Sequence, residues 1–216
     1  MASDLKKGIF ITFEGPEGSG KSTQSKLLYN FLKNKGYNVV YFREPGTTKL
    51  GERVRDVLLH SKAVKISPRA EALLYFCARA QLVFEKISPA LSSGKIVICD
   101  RFTDATLAYQ GFGLGMDMKE LARLNDFATE KIHPDITFLL DVDTKTGLSR
   151  SKKTKGFKDR IEKRAFCFHK RVRTGYLKIA KNEPARIKIF SSCAGSVDEI
   201  HYLIRKAVLD AVTRYT

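Results

Sequence analysis

Residues 15–22 read Gly-Pro-Glu-Gly-Ser-Gly-Lys-Ser, a pattern that restricts both the ligand a chain can hold and the local fold that holds it. The glycines let the backbone curl until successive N–H groups converge, Lys21 adds a mobile positive charge, and the Ser22 hydroxyl can ligate magnesium. Such a loop works only where it joins the carboxyl end of a strand to the amino end of a helix. Both flanks are present: Gly8 to Phe13 is an apolar, strand-like run, and Leu27, Leu28, Phe31 and Leu32 recur at helical spacing until Gly36. Gly15, Pro16, Glu17, Gly18, Ser19, Gly20, Lys21, Ser22 and Thr23 are therefore expected to cradle the phosphates of a nucleoside triphosphate and its Mg2+.

The remainder alternates in the same way. Asn38 to Phe42, Lys95 to Asp100, Asp135 to Asp141 and Arg186 to Phe190 read as four further strands, and Ile-Val-Ile-Cys within Lys95 to Asp100 is the continuous apolar run of a strand buried on both faces. Between them fall a short helix with Leu50, Val54, Val57 and Leu58 on one face, a long helix from Ser67-Pro68 to about Gly94 kinked near Pro89, and a helix over Met118 to Lys131. The closing helix opens at a Ser196/Glu199 capping box and directs Val197, Ile200, Leu203, Ile204, Ala207, Val208 and Ala211 inward. Alternation of this kind implies right-handed crossovers and a five-stranded parallel sheet with helices on both sides, an α/β fold whose ligands gather at the carboxyl edge. The loop at Gly15, Arg43-Glu44-Pro45-Gly46 and Asp100-Arg101 each follow a strand, so all three are expected on one rim.

With 216 residues, 43% of them hydrophobic, the chain suffices for one substantial core, and 1–216 is read as a single domain. No apolar run approaches bilayer length, and Met1 to Lys7 lacks the apolar block of a signal peptide, so a cytoplasmic location and no membrane partner are expected. Cys77, Cys99, Cys167 and Cys193 are widely spaced, as are His60, His133, His169 and His201, which suggests neither disulfides nor a zinc site. The formal charge of +16 favours phosphorylated ligands of any kind. Much of it lies in Arg150 to Arg173, which reads equally as a solvated face, a nucleic-acid patch or a flap closing over phosphates.

Taken together, the chain from about Gly8 to Ile204 resembles the thymidylate kinase family, P-loop NTPase-fold enzymes that move the γ-phosphoryl of ATP onto thymidine monophosphate. The most specific segment is Asp100-Arg101-Phe102-Thr103-Asp104-Ala105-Thr106-Leu107-Ala108-Tyr109-Gln110-Gly111, supported by Phe13-Glu14-Gly15, Arg43-Glu44-Pro45-Gly46 and Asp159-Arg160-Ile161-Glu162. The resemblance implies a three-layer α/β/α domain with a basic lid at about 150–160, acting as a homodimer in dTTP synthesis. Phosphoryl transfer needs two phosphates held in line and fixed cations against the charge that spreads over the transferring group. Lys21 and the loop would hold the donor, and Ser22 with Asp100 would hold magnesium. Arg101 would sit between donor and acceptor, and Arg43, with Glu44 and Pro45, would grip the acceptor monophosphate.

The resemblance further implies that Glu17 faces the acceptor sugar and the magnesium waters. Tyr75 or its neighbour Phe76 would stack on thymine while Arg79, one helical turn on, meets the base edge. Tyr109 would pack against the deoxyribose, with Thr106 and Gln110 completing the acceptor site. The phosphate loop carries no arginine, and the lid is expected to compensate with Arg150 and Arg160, joined by Lys153 or Lys155. The chain departs from the family pattern at Ala105, where serine is usual, and at Thr47 and Lys49, and its lid holds more lysine than arginine. Two alternatives stand beside this reading: another nucleoside or nucleotide kinase on the same scaffold, and a nucleic-acid-binding ATPase. The kinase reading expects no nucleic-acid partner.

Overall fold

A computed structural model describes residues 8–60, 65–155 and 159–213. Met1 to Lys7, read above for a leader, lies outside the described residues, as does the side chain of Lys155.

Five parallel strands, β1 (Ile9–Glu14), β2 (Val39–Arg43), β3 (Ile96–Asp100), β4 (Ile136–Asp141) and β5 (Ile187–Ser191), form one sheet in the order β2-β3-β1-β4-β5. The register places Phe13 and Arg43 on either side of Asp100, so the strand ends carrying the phosphate loop, Arg43 and Asp100-Arg101 form one rim, as expected. The chain reverses strand order between β1 and β3, which opens a crevice at that rim.

Nine α-helices are described: α1 (Lys21–Asn34), α2 (Lys49–Leu59), α3 (Pro68–Leu82), α4 (Ser88–Ser92), α5 (Thr103–Thr106), α6 (Met118–Thr129), α7 (Thr144–Lys155), α8 (Phe166–Asn182) and α9 (Val197–Val212). One face of the sheet packs Ile9, Ile11, Phe13, Ile96, Ile98, Phe138 and Leu140 against Leu28 and Leu32 of α1 and Ile200, Ile204 and Val208 of α9. On the other face Phe10, Val97 and Cys99 meet Leu82, Ile87 and Ala90, while Leu139 and Ile187 meet Val172, Tyr176 and Ile179 of α8. Alternate residues of each strand thus serve opposite layers, which is why the strands read as unbroken apolar runs.

Two departures from the sequence reading have local causes. The long helix is interrupted just ahead of Pro89, where it widens into a π-helical turn over Val83–Ile87 before α4. Proline cannot donate to the carbonyl four residues earlier and its ring crowds that carbonyl, so the preceding turn absorbs the misfit. On α2 and α9 the apolar stripe is narrower than expected. Val54, Leu58, Ile200, Ile204 and Val208 are buried, whereas Leu50, Val57, Val197 and Leu203 lie outward. The Ser196/Glu199 capping box is formed on both sides, and Ser67 caps α3 ahead of Pro68.

Candidate active site

The loop after β1 curls as its glycines require. Gly18 has φ +65, and a Cβ there would lie 2.0 Å from the carbonyl oxygen of Gly147, while a Cβ on Gly147 would lie 2.4 Å from that of Glu17. Two glycines therefore let the amino-terminal part of α7, which precedes the segment expected as a lid, lie directly against the phosphate loop. Lys21 folds back over the loop and donates to the Pro16 carbonyl at 2.7 Å. Burial and the neighbouring Arg101 push its ammonium down to about 8. The Ser22 hydroxyl donates to Asp100 Oδ2, so two oxygen ligands of the kind a hard divalent cation prefers stand together beside the loop. Among the described residues no cluster of three histidine, cysteine or acidic side chains offers a separate metal site.

Arg101 adopts φ +72, a costly conformation for a residue with a Cβ and a mark of a position held for another purpose. It donates to the Gly15 carbonyl at 3.2 Å, to Tyr176 at 2.9 Å and to Tyr109 at 3.0 Å, and its guanidinium stacks 4.9 Å from the Tyr109 ring centre. Glu17 accepts from the Tyr109 hydroxyl at 2.5 Å and lies 3.5 Å from Arg101. Burial works against ionisation of Glu17, but His169, Arg101, Lys21 and Tyr109 outweigh it and hold the carboxyl well below the usual range. Underneath, Glu14 accepts from the Phe102 amide and the Tyr176 hydroxyl. Its burial, aided by Asp104, pushes it up to about 8.

A single cleft joins these groups to the acceptor side. It is lined by Glu17, Gly18, Lys21, Ser22, Asp100 and Arg101 from the loop and β3, by Arg43, Glu44 and Pro45 after β2, and by Tyr75, Arg79, Thr106, Tyr109 and Gln110. Of the two aromatic candidates, Tyr75 faces the cleft and Phe76 is buried against Ala72, Leu121 and Ala128. Arg43 is half exposed and makes a two-oxygen contact with Glu52 at 3.0 and 3.1 Å. Thr47 occupies φ +71, and its hydroxyl bonds both the amide and the carbonyl of Arg43 at 3.0 and 3.1 Å, so the side chain that departs from the family pattern anchors the Arg43 backbone.

Arg79, expected at the base edge, lines the cleft and is held there by protein groups. Its side chain is 1% exposed and makes four hydrogen bonds, Nε to Glu44, Nη1 to Thr106 and Asn125, and Nη2 to the Phe102 carbonyl, while Nη2 also lies 2.8 Å from the second Glu44 oxygen as an ion pair. The buried Glu44 carboxylate demands this pairing, because leaving it alone would cost several kcal/mol, about 3–5 in measured cases. Arg150 and Arg160, expected as lid cations, are held by protein partners here. Arg150 is exposed and donates to Ser192 beyond β5, and Arg160 donates to the Leu58 carbonyl at 2.7 Å and to Glu71 at 2.5 Å. Glu71 is fully buried and is shared by Arg160, Arg164 and Gln110, a demand that outweighs leaving Arg160 free in solvent. Lys153 is exposed. The lid base is tied down by Asp159, which accepts from the Ile161 and Glu162 amides, and by Ser151 donating to Glu162.

The structure adds residues that the sequence did not single out. Arg55 of α2 lines the cleft and donates to the Pro45 carbonyl at 2.9 Å; burial, then the neighbouring Arg43, lowers its pKa. Both guanidiniums line the same cleft, and a guanidinium's fork suits phosphate oxygens. Arg55 follows the buried Val54, and its position one turn after Gly51 was the only available signal. Tyr176, Asn125, Gly147 and His169 had none.

A phosphate loop between β1 and α1 on the carboxyl rim of a parallel sheet, with Lys21, Arg43, Arg55 and Arg101 lining one cleft beside it, defines a P-loop phosphotransferase of the α/β class. Residues 13–204 match the thymidylate kinase family model, and the chain belongs to that family. It is 42% identical to the thymidylate kinase of Geobacillus sp. (strain WCH70), covering 95% of this chain and 98% of the relative. It is 49% identical to that of Exiguobacterium sp. (strain ATCC BAA-1283 / AT1b), covering 83% and 84%. The crystal structure of thymidylate kinase from Ehrlichia chaffeensis superposes with a TM-score of 0.76 at 38% identity, covering 94% of this chain and 98% of the other.

Proposed function

We propose that the protein transfers the γ-phosphoryl of ATP to thymidine monophosphate, giving dTDP and ADP in the supply of dTTP. The observation that carries this is the single cleft in which Lys21 and the loop amides meet Arg101, Arg43 and Arg55. Donor and acceptor phosphates are each met by fixed positive groups, with Arg101 between them for the charge that develops on the transferring group. The fork of an arginine suits this task because it makes two bonds to phosphate oxygens and keeps its charge. Ser22 and Asp100 would hold Mg2+, which, when bound, neutralises donor phosphate charge. On the acceptor side Tyr75 would stack on the base, Thr106, Gln110 and Arg79 would meet its edge, and Tyr109 would lie against the deoxyribose with Glu17 beside it. A contact from Arg79 to the base would be shared with its protein partners. Arg150 and Arg160 are left out of the phosphate set.

A homodimer is part of this reading. Leu73 and Phe84, on and just beyond α3, are 58% and 71% exposed, and Phe127 on the adjacent α6 is 85% exposed; large apolar side chains so placed favour a second copy as cover. Among the described residues no helix is long and apolar enough to cross a membrane. The cytoplasm, where both nucleotides are available, is the compartment we assign.

The test is ADP release with magnesium, ATP and a panel of thymidine, deoxyuridine, uridine, cytidine, adenosine and guanosine monophosphates. Turnover strongly favouring thymidine monophosphate is expected. Better turnover of adenosine or uridine monophosphate, or stimulation by DNA or RNA alone, would overturn the assignment.

A further inference from the structure

His169 lies in the first turn of α8 with its side chain 2% exposed, yet neither ring nitrogen has a hydrogen-bond partner among the described residues. Buried imidazoles are ordinarily paired, so an unpaired one needs a physical reason. Its Nδ1 faces Glu17 Oε2 at 3.6 Å, and that oxygen is itself buried without a hydrogen bond. The other carboxylate oxygen, Oε1, is the one engaged by Tyr109 and Arg101. Two complementary buried atoms, each unpaired and facing the other slightly beyond hydrogen-bond length, need only a few tenths of an ångström to join. Packing accounts for part of the ring's environment, since it meets Phe168 edge-on at 5.2 Å. An apolar ring would serve that contact equally well and would leave no nitrogen facing Glu17.

We propose that His169 is a positioning residue for the phosphate loop, donating from Nδ1 to Glu17 Oε2 and fixing that carboxylate against Tyr109 and Arg101, clear of the space the phosphates occupy. A carboxylate inside an anion-binding loop repels its ligand unless its direction is controlled. Oε1 alone leaves the group free to turn about one point, and a second anchor from α8 removes that freedom. Because Glu17 contacts Arg101, a loosened carboxylate also loosens the guanidinium that flanks the transferring group. The proposal rests on the kinase reading, which the parent protein's dTMP-dependent turnover tests separately from any variant.

The experiment is steady-state kinetics and thermal melting of His169→Asn, His169→Gln and His169→Phe, each alone and in a Glu17→Gln background. The asparagine amide nitrogen sits near the place of Nδ1 and that of glutamine near Nε2, so only asparagine restores the donor that faces Glu17. Phe and Gln should lower kcat at least about tenfold with KM for ATP within about twofold of the parent, and Asn should recover at least about threefold over Gln. In the Glu17→Gln background the Phe change should cause no further loss, because the residue acts through a carboxylate already removed. Equal kcat for Asn and Gln, or a Phe effect as large without Glu17 as with it, would overturn the proposal. Should His169→Phe fail to fold, the Asn and Gln comparison decides alone.

Discussion

At the scale of single residues, the site divides into groups aimed at substrate and groups occupied by protein. We assign Arg101 to the first, since it lines the cleft with its side chain 21% exposed while Gly15, Tyr109 and Tyr176 fix its direction. Arg101→Ala should lower kcat at least about a hundredfold with ATP affinity nearly intact, as for a contact made in the transition state. Steady-state kinetics checks this, and an unchanged kcat would remove Arg101 from the mechanism. Arg79 belongs mainly to the second group. Arg79→Ala strands the buried Glu44 carboxylate and should cost about 3–5 kcal/mol of folding stability, measured by denaturant unfolding; a variant as stable as its parent would contradict the clamp described here. The sequence made Lys21, Ser22, Arg43, Asp100 and Arg101 legible because each sits in a short pattern at the end of an apolar strand. It left Tyr176 and His169 illegible because their roles depend on packing between distant segments. Tyr176 and Glu14 are 162 residues apart, and nothing local to either marks the other.

Secondary-structure elements were readable where burial alone governs them. All five strands lie within a residue or so of their apolar runs, and the caps at Ser67 and Ser196 start α3 and α9 as their side chains dictate. Helix faces were less readable, because periodicity shows a stripe but not how much of it the sheet covers. Leu50, Val57, Val197 and Leu203 extend apolar stripes beyond the layer beneath. The same limit hid the outer surface near α3 and α6, where Phe84 and Phe127 are largely exposed. If that surface joins two copies, the parent should sediment as a dimer and the Phe84→Asp/Phe127→Asp double variant as a folded monomer. A parent that sediments as a monomer would rule the interface out.

On the scale of the whole molecule, the sheet order brings the ends of β1, β2 and β3 to one rim, and the close contact of Gly18 with Gly147 sets α7 against the phosphate loop there. Net charge was a poor guide to this arrangement. Although the chain carries +16, the arginines nearest the site are largely matched: Arg79 with Glu44, Arg160 and Arg164 with Glu71, Arg173 with Asp141 and Arg186 with Asp104. Arg43 and Arg101 also face carboxylates, Glu52 and Glu17, but with side chains 50% and 21% exposed they open on the cleft that Lys21 and Arg55 line as well. The central claim is that this cleft passes a phosphoryl group directly from one nucleotide to another. Following γ-labelled ATP in the presence of magnesium and thymidine monophosphate tests it most directly. Label appearing in dTDP, with little in inorganic phosphate, is the predicted result, and label released mainly as inorganic phosphate with none in dTDP would contradict the account.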